Sequence, residues 1–181
     1  PPVSRGSEAV MPRKEEVLEV SWEPLTVRGE DLRERLATAS SSSSAPPPSQ
    51  SRRAANGAMV DAMLFLQPER REAMLAAIAE RVETAYRVFR ESRPSFNGCV
   101  VLLGHGLEAA GLFELLRCER LTFRPMALVA MGSPLPTLLT FDETFSPTPS
   151  FSLPGNTRML NIYFSSDARA SRMEPLFARE L

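Results

Sequence analysis

Between Val100 and Leu116 the chain writes out a strand, a tight turn and a helix with no residues to spare. The apolar run Cys99 to Leu103 leads into Gly104-His105-Gly106, and a helical pattern from Leu107 to Arg117 follows at once. A continuous apolar run of this kind suits a strand buried on both faces, as in parallel sheets covered by helices. Two more short apolar runs fit the same plan. Met126 to Met131 ends in Gly132-Ser133-Pro134, and Met159 to Phe164 follows a Pro-, Ser- and Thr-rich loop over residues 140–154. The clearest period lies upstream. Met74, Ile78, Val82, Ala85, Tyr86 and Phe89 recur at helical spacing between Glu69 and Arg90, with Pro68 at the helix start. Charges of both signs on its other face favour a helix packed on a sheet over one lying on a membrane. Strands alternating with helices predict an α/β domain with a mostly parallel sheet.

The remaining chain is less regular. Residues 1–14 are polar and expected to be disordered. Val17 to Trp22 reads as a short strand, and Gly29 to Thr38 as one or two helical turns. A Ser/Pro-rich insertion at about 39–57 buries nothing and is expected to be disordered, with order resuming near Ala58. Met59 to Leu66 fits a strand or a helix. A chain of 181 residues holds one domain with a sizeable core. With 21 basic and 22 acidic residues, it offers no electrostatic reason to propose nucleic acid as a partner. Cys99 and Cys118 are too few for a disulfide framework and read as reduced packing residues, which fits a cytoplasmic setting. No apolar run reaches the roughly 18–20 residues that span a bilayer, and no apolar signal core opens the chain. The expectation is a cytoplasmic protein, at most peripheral to membranes.

The Gly104-His105-Gly106 joint has the outline of the nucleophile elbow G-x-S-x-G, in which a strained turn lifts a serine above the strand ends. Here Gly106 stands in the serine position and Glu108 in that of the second glycine. The backbone N–H of Leu107 is the candidate oxyanion donor. Read from spacing alone, an ordinary strand–turn–helix joint competes with a hydrolase core that has lost its nucleophile.

Residues around the joint carry a resemblance. Phe96-Asn97-Gly98-Cys99-Val100-Val101-Leu102-Leu103-Gly104-His105-Gly106-Leu107 resembles the F-x-G-x-V-x-x-x-G-H-S-L segment of the DDHD-domain family. Leu112 to Leu116 is similar to the helix that follows it there. Phe123-Arg124-Pro125 and Ala130-Met131-Gly132-Ser133-Pro134-Leu135 resemble a later block ending in G-S-P-L. Leu160-Asn161-Ile162-Tyr163, with Asp167, Ala170, Arg172, Glu174, Pro175 and Leu176, resembles N-I-Y-x-x-x-D-x-x-A-x-R-x-E-P-L. Val17 to Trp22 resembles a V-x-x-x-P-V-x-W strand without its proline. The resemblance covers roughly residues 15–38 and 58–181.

That family includes intracellular phospholipases A1 that prefer phosphatidic acid. A second branch comprises phosphatidylinositol-transfer proteins of the retinal-degeneration-B type, whose elbow lacks the serine. Ala170 to Leu176 is close to that branch, while the Gly-His pair and the Trp22 strand lean toward the first. The resemblance implies an α/β-hydrolase-like fold, phospholipid or membrane as partner, and a fragment of a larger DDHD domain. Protein partners stay unspecified.

The departures bear on chemistry. Asp167 is the candidate acid, at the place of the family's first DDHD aspartate, with pairing to Arg169 or Arg172 as the alternative role. The only histidine, His105, neighbours the nucleophile position. Consecutive strand residues point to opposite faces, so it reads as a packed or backbone-bonded residue rather than the base. The resemblance implies a divalent metal at the DDHD region, with Asp167 its one candidate ligand here, and one ligand does not make a site. Ser133 closes the second strand, and turn formation or helix capping accounts for it. Losing the nucleophile of a serine hydrolase costs on the order of 10⁶ in rate. The sequence thus predicts a phospholipase-A1-like core without turnover, with a non-catalytic lipid-binding or interaction module as the alternative.

Overall fold

A computed structural model of the chain describes residues 15–20, 35, 49–145, 148, 151–167 and 169–177. Helix α1 spans Gln50–Phe65 and α2 spans Pro68–Ser92. Strand β1 (Val101–His105), helix α3 (Leu107–Arg117), strand β2 (Ala127–Met131), helix α4 (Leu135–Phe141), strand β3 (Arg158–Ile162) and the short helix α5 (Glu174–Phe177) follow. The three strands are parallel and lie in the order β1–β2–β3, pairing Leu103 with Val129 and Val129 with Leu160. This is the predicted α/β architecture with a parallel sheet and flanking helices.

Helix α3 is the hub. Every residue from Ala109 to Leu116 is buried, because α3 lies between the sheet and α2. A helix with neighbours all round is apolar all round. Glu114 is the exception, and Arg117 neutralises it at 2.7 Å while also reaching Asp142 at 3.3 Å. Arg71 approaches the same Asp142 carboxylate at 3.6 Å, so one ionic cluster joins the start of α2 to the ends of α3 and α4. Pro68 opens α2 and Glu69 lies in its first turn, where the helix dipole favours a negative charge. Met74, Leu75, Ile78 and Val82 form its buried stripe. On the outer side, Glu83 accepts the Thr122 backbone N–H at 2.5 Å and its hydroxyl at 2.6 Å. The loop after α4 is drawn inward by Phe145 and Phe151, whose rings meet Phe113 of α3 and Phe177 of α5.

Several expectations need correction. Helix α1 takes in residues 50–57, which composition assigned to the Ser/Pro-rich insertion. Ser49 caps it by accepting the Arg52 N–H at 3.3 Å, and burial of Val60, Leu64 and Phe65 anchors its far end. Met59 to Phe65 is accordingly helix, not strand. Residues 15–20 form no strand and are exposed, and Ser21 and Trp22 lie outside the described residues. So do residues 1–14, 29–34, 36–38 and 39–48, on which the other calls fall. Cys99 and Cys118 are exposed free thiols rather than packing residues, since one precedes β1 and the other caps α3.

The largest difference concerns the sheet. Val100, Leu102, Leu128 and Met159 face the helices. On the opposite face Val101 is 47% exposed, Leu103 60%, Leu160 48% and Ile162 50%. The apolar run of β1 is buried on one face only.

Candidate functional site

The three strands end at one level, and the turns leaving β1 and β2 are built alike. Gly106 N–H donates to Met131 O and Gly132 N–H to Ile162 O, both at 2.8 Å, so the ladder runs one residue past each strand. Both glycines then take positive φ, 60° at Gly106 and 52° at Gly132, before α3 and α4 begin. Such φ values strain any residue with a Cβ. Each glycine directly follows its five-residue strand, Val101–His105 and Ala127–Met131.

At Gly106 the turn has φ 60° and ψ −128°, and no atom beyond its two chain neighbours comes within 4 Å of the point a Cβ would occupy. A sharp strand-to-helix turn that only glycine adopts without strain is therefore present, with open space beside Gly106. Gly104 explains how β1 and α3 come so close. A Cβ there would lie 2.7 Å from Ala109 Cα and 2.8 Å from its N. The small residue needed opposite Gly104 is thus Ala109. Glu108 is half-buried in the first turn of α3 and leaves the close contact to its neighbour. Leu107, the first residue of α3, has an N–H with no acceptor available inside the helix.

Asp167 lies in the turn after β3 and Ser133 in the turn after β2. Asp167 pairs with Arg169, whose Nε is 3.1 Å from Oδ1 and whose backbone N–H donates to the same oxygen at 3.0 Å. These bonds hold the Asp167 carboxyl below the usual carboxylate range, and the charge of His105 adds to the effect. Arg172 pairs with Glu174 instead. Ser133 is buried, and its Oγ accepts the Leu135 N–H at 3.2 Å in the first turn of α4.

His105 departs from its sequence reading. It is exposed, because it ends β1 on the sheet face that no helix covers. It also shares the Gly132 turn with Asp167. The point where a Gly132 Cβ would sit is 3.6 Å from His105 Nε2 and 3.4 Å from Asp167 Oδ2. Sequence reasoning missed this neighbourhood, since 62 residues of chain separate the pair and only the β1–β2–β3 register closes the gap. The donor set does not fit a resident metal. Asp167 is taken by Arg169, and among the described residues no three His, Cys, Asp or Glu side chains stand together. Chemically the strand ends offer an imidazole, a paired carboxylate and helix N–H donors around the open turn at Gly106.

A parallel α/β core with an elbow-shaped turn at its strand ends is the class these features define. By sequence, the chain is similar to a probable mitochondrial phospholipase of Schizosaccharomyces pombe, 29% identical over 160 residues, covering 72% of this chain and 21% of that protein. A probable mitochondrial phospholipase of Saccharomyces cerevisiae is 28% identical over 137 residues, covering 68% of this chain and 19% of that protein. The chain spans about a fifth of the length of these curated relatives. No model of a known protein family matches the chain, and no solved structure matches it.

Proposed function

We propose that this chain is the elbow-bearing part of a phospholipase-A1-like domain of the DDHD type, acting in phospholipid metabolism or membrane traffic without ester hydrolysis of its own. The observation that carries the reading is the Gly106 turn, which has an elbow's positive-φ backbone and open space but no hydroxyl. The similarity to two proteins named as probable phospholipases supports the substrate class. Residues 15–181 are read as one domain of this kind.

The roles follow from position. Gly106 marks the lost nucleophile, flanked by Gly104 and His105, and Leu107 N–H the oxyanion donor. Asp167 occupies the acid's place, but its oxygens are engaged by Arg169. Glu108 places negative charge in the first turn of α3, where a developing oxyanion needs positive potential. No second histidine exists in the chain to act as base. Ligands of open α/β sheets bind outside the carboxyl ends of the strands, so phospholipid contact is placed there. The exposed thiols favour a reducing compartment, and the lipid a position peripheral to a membrane.

The test pairs binding with turnover. The purified chain is mixed with phosphatidic acid vesicles, and co-sedimentation and released fatty acid are measured. Binding without release is expected. Release that a serine-directed fluorophosphonate abolishes would overturn the loss of catalysis. Absence of binding to phosphatidic acid and phosphatidylinositol vesicles alike would overturn the lipid reading. Gly106→Ser adds a geometric check: its hydroxyl has room, but a Cβ at φ 60° carries backbone strain of about 1–3 kcal/mol, so a folded protein with a lowered Tm is expected.

A further inference from the structure

The end of the sheet opposite the Gly106 turn holds a cavity of about 490 Å³. Tyr86 and Arg90 of α2 form one wall, and Phe96, Gly98, Cys99 and Val100, which lead into β1, form a second. Thr122 to Met126, ahead of β2, and Gly155, ahead of β3, complete it. Met126 N–H donates to Val100 O at 2.7 Å and Arg158 N–H to Met126 O at 2.9 Å, so the strand entries are tied into one frame. The five residues of β1 separate this frame from the Gly106 turn by roughly 16 Å. The cavity is therefore distinct from the elbow.

Its charge is one-sided. Arg90 and Arg124 line it, and among the described residues no acidic side chain does. Glu83 reaches the rim only to be taken up by the Thr122 N–H and hydroxyl. Arg90 has a role in the fold: it lies in the last turn of α2, where the helix dipole favours a cation, and it donates to Phe96 O. Arg124 has no such role, and among the described residues its guanidinium has neither an ion-pair nor a hydrogen-bond partner. Its stem lies against Gly155, where φ is 71° and a Cβ would be 3.1 Å from Arg124 Cδ and 3.7 Å from its Nε. Glycine at 155 gives the stem its place and so sets where the guanidinium stands.

Two guanidiniums without a carboxylate call for a dianion. A phosphate monoester carries a charge of about −1.5 to −2 at pH 7 and accepts from planar donor forks, whereas a carboxylate brings a single charge. The remaining lining supplies contact for an organic body. Tyr86 stacks on Phe123 with ring centroids 4.1 Å apart, and Val100, Pro125 and Met126 add apolar surface. The volume lies within the range of about 300–1,000 Å³ typical of small-molecule sites. It suits a short body and is too small for the acyl chains of phosphatidic acid. We propose that this cavity binds a soluble phosphate monoester with a small organic body, with Arg90 and Arg124 holding the phosphate.

The chain carries its own reporter, because Cys99 lines the cavity, Cys118 does not, and both are exposed. Reaction of each thiol with uncharged N-ethylmaleimide is followed by peptide mass analysis, and affinity by titration calorimetry. The additions are glycerol 3-phosphate, phenyl phosphate, inorganic phosphate, butyrate and phosphatidic acid vesicles. At least one of the two organic esters is expected to slow Cys99 and leave Cys118 unchanged, with inorganic phosphate weaker and butyrate without effect. Arg124→Gln is expected to weaken binding about tenfold or more while leaving the melting temperature unchanged, since the guanidinium has no partner in the described fold. Failure of both esters to protect Cys99 overturns the proposal. So does equal protection of Cys118, an equal effect of butyrate or inorganic phosphate, protection by phosphatidic acid vesicles alone, or an affinity that Arg124→Gln leaves unchanged. None of these measurements involves Gly106, so they stand or fall apart from the elbow.

Discussion

Replacing Gly104 by alanine puts the contact between β1 and α3 to a quantitative test. The added Cβ would lie 2.7 Å from Ala109 Cα and 2.8 Å from Ala109 N, both backbone atoms. Ordinary carbon contacts sit near 3.5–4.0 Å, so α3 would have to retreat by about 1 Å. It has little room to do so, because Ile78 of α2 lies against Gly111 on its far side. Overpacking of this type costs about 1–3 kcal/mol, and the blocked retreat argues for the upper half of that range. For a chain of this length each kcal/mol lowers Tm by roughly 2–4 °C, so a drop of about 4–12 °C is expected. Gly111→Ala is the matched control. Its Cβ meets chiefly the Ile78 Cδ1 atom at 2.6 Å, the movable end of a side chain. Relief of a mid-helix glycine contributes about 1 kcal/mol in its favour. Thermal unfolding followed by circular dichroism should therefore separate the two alanines, with Gly104→Ala clearly lower. Equal melting temperatures, or a stable Gly104→Ala, would refute the claim that close strand–helix approach requires glycine at this position.

Three further outcomes are expected. Arg117→Met leaves Glu114 and Asp142 with little exposure and without their main cation, and urea unfolding should show a loss of about 3 kcal/mol. Asp142 links stability to pH: burial raises its pKa, but the Thr144 hydroxyl and N–H and the charges of Arg117 and Arg71 more than offset that, leaving it below the ordinary carboxylate value. Its contribution is therefore complete above the ordinary value and lost as pH falls through the lowered one, so denaturation midpoints of wild type and Asp142→Asn should converge in acid. Cys99 and Cys118 are exposed, and both should react with a thiol-specific disulfide reagent without denaturant; a thiol that reacts only after unfolding would contradict the structure.

What could be read in advance was whatever depends on local pattern. Helix α2 follows from the spacing of Met74, Ile78 and Val82, and α3 from the run after Gly106. The sharp turn at Gly106 was legible because glycine placement is itself a backbone statement. Composition misled at residues 50–57, where a Ser49 cap and distant packing by Val60 and Leu64 outweigh a polar stretch next to the Ser/Pro-rich segment. The one-sided burial of β1 was invisible, since Val101 and Leu103 look the same whether or not a helix lies above them. The neighbourhood of His105 and Asp167 was hidden for a different reason, as sequence spacing holds no record of strand order.

The aromatic seam around α3 bears on what happens if the chain is cut. Phe145 and Phe151 bracket the loop between α4 and β3, and each meets both Phe113 and Phe177. A protease that severs the backbone between them frees neither new end, because each is moored by a ring on the same cluster. Parallel pairing of β2 with β3 adds a second mooring. A nicked molecule would thus migrate as one particle under native conditions and separate into two fragments only in denaturant, so that limited digestion scored on denaturing gels alone would mistake a held-together protein for a broken one.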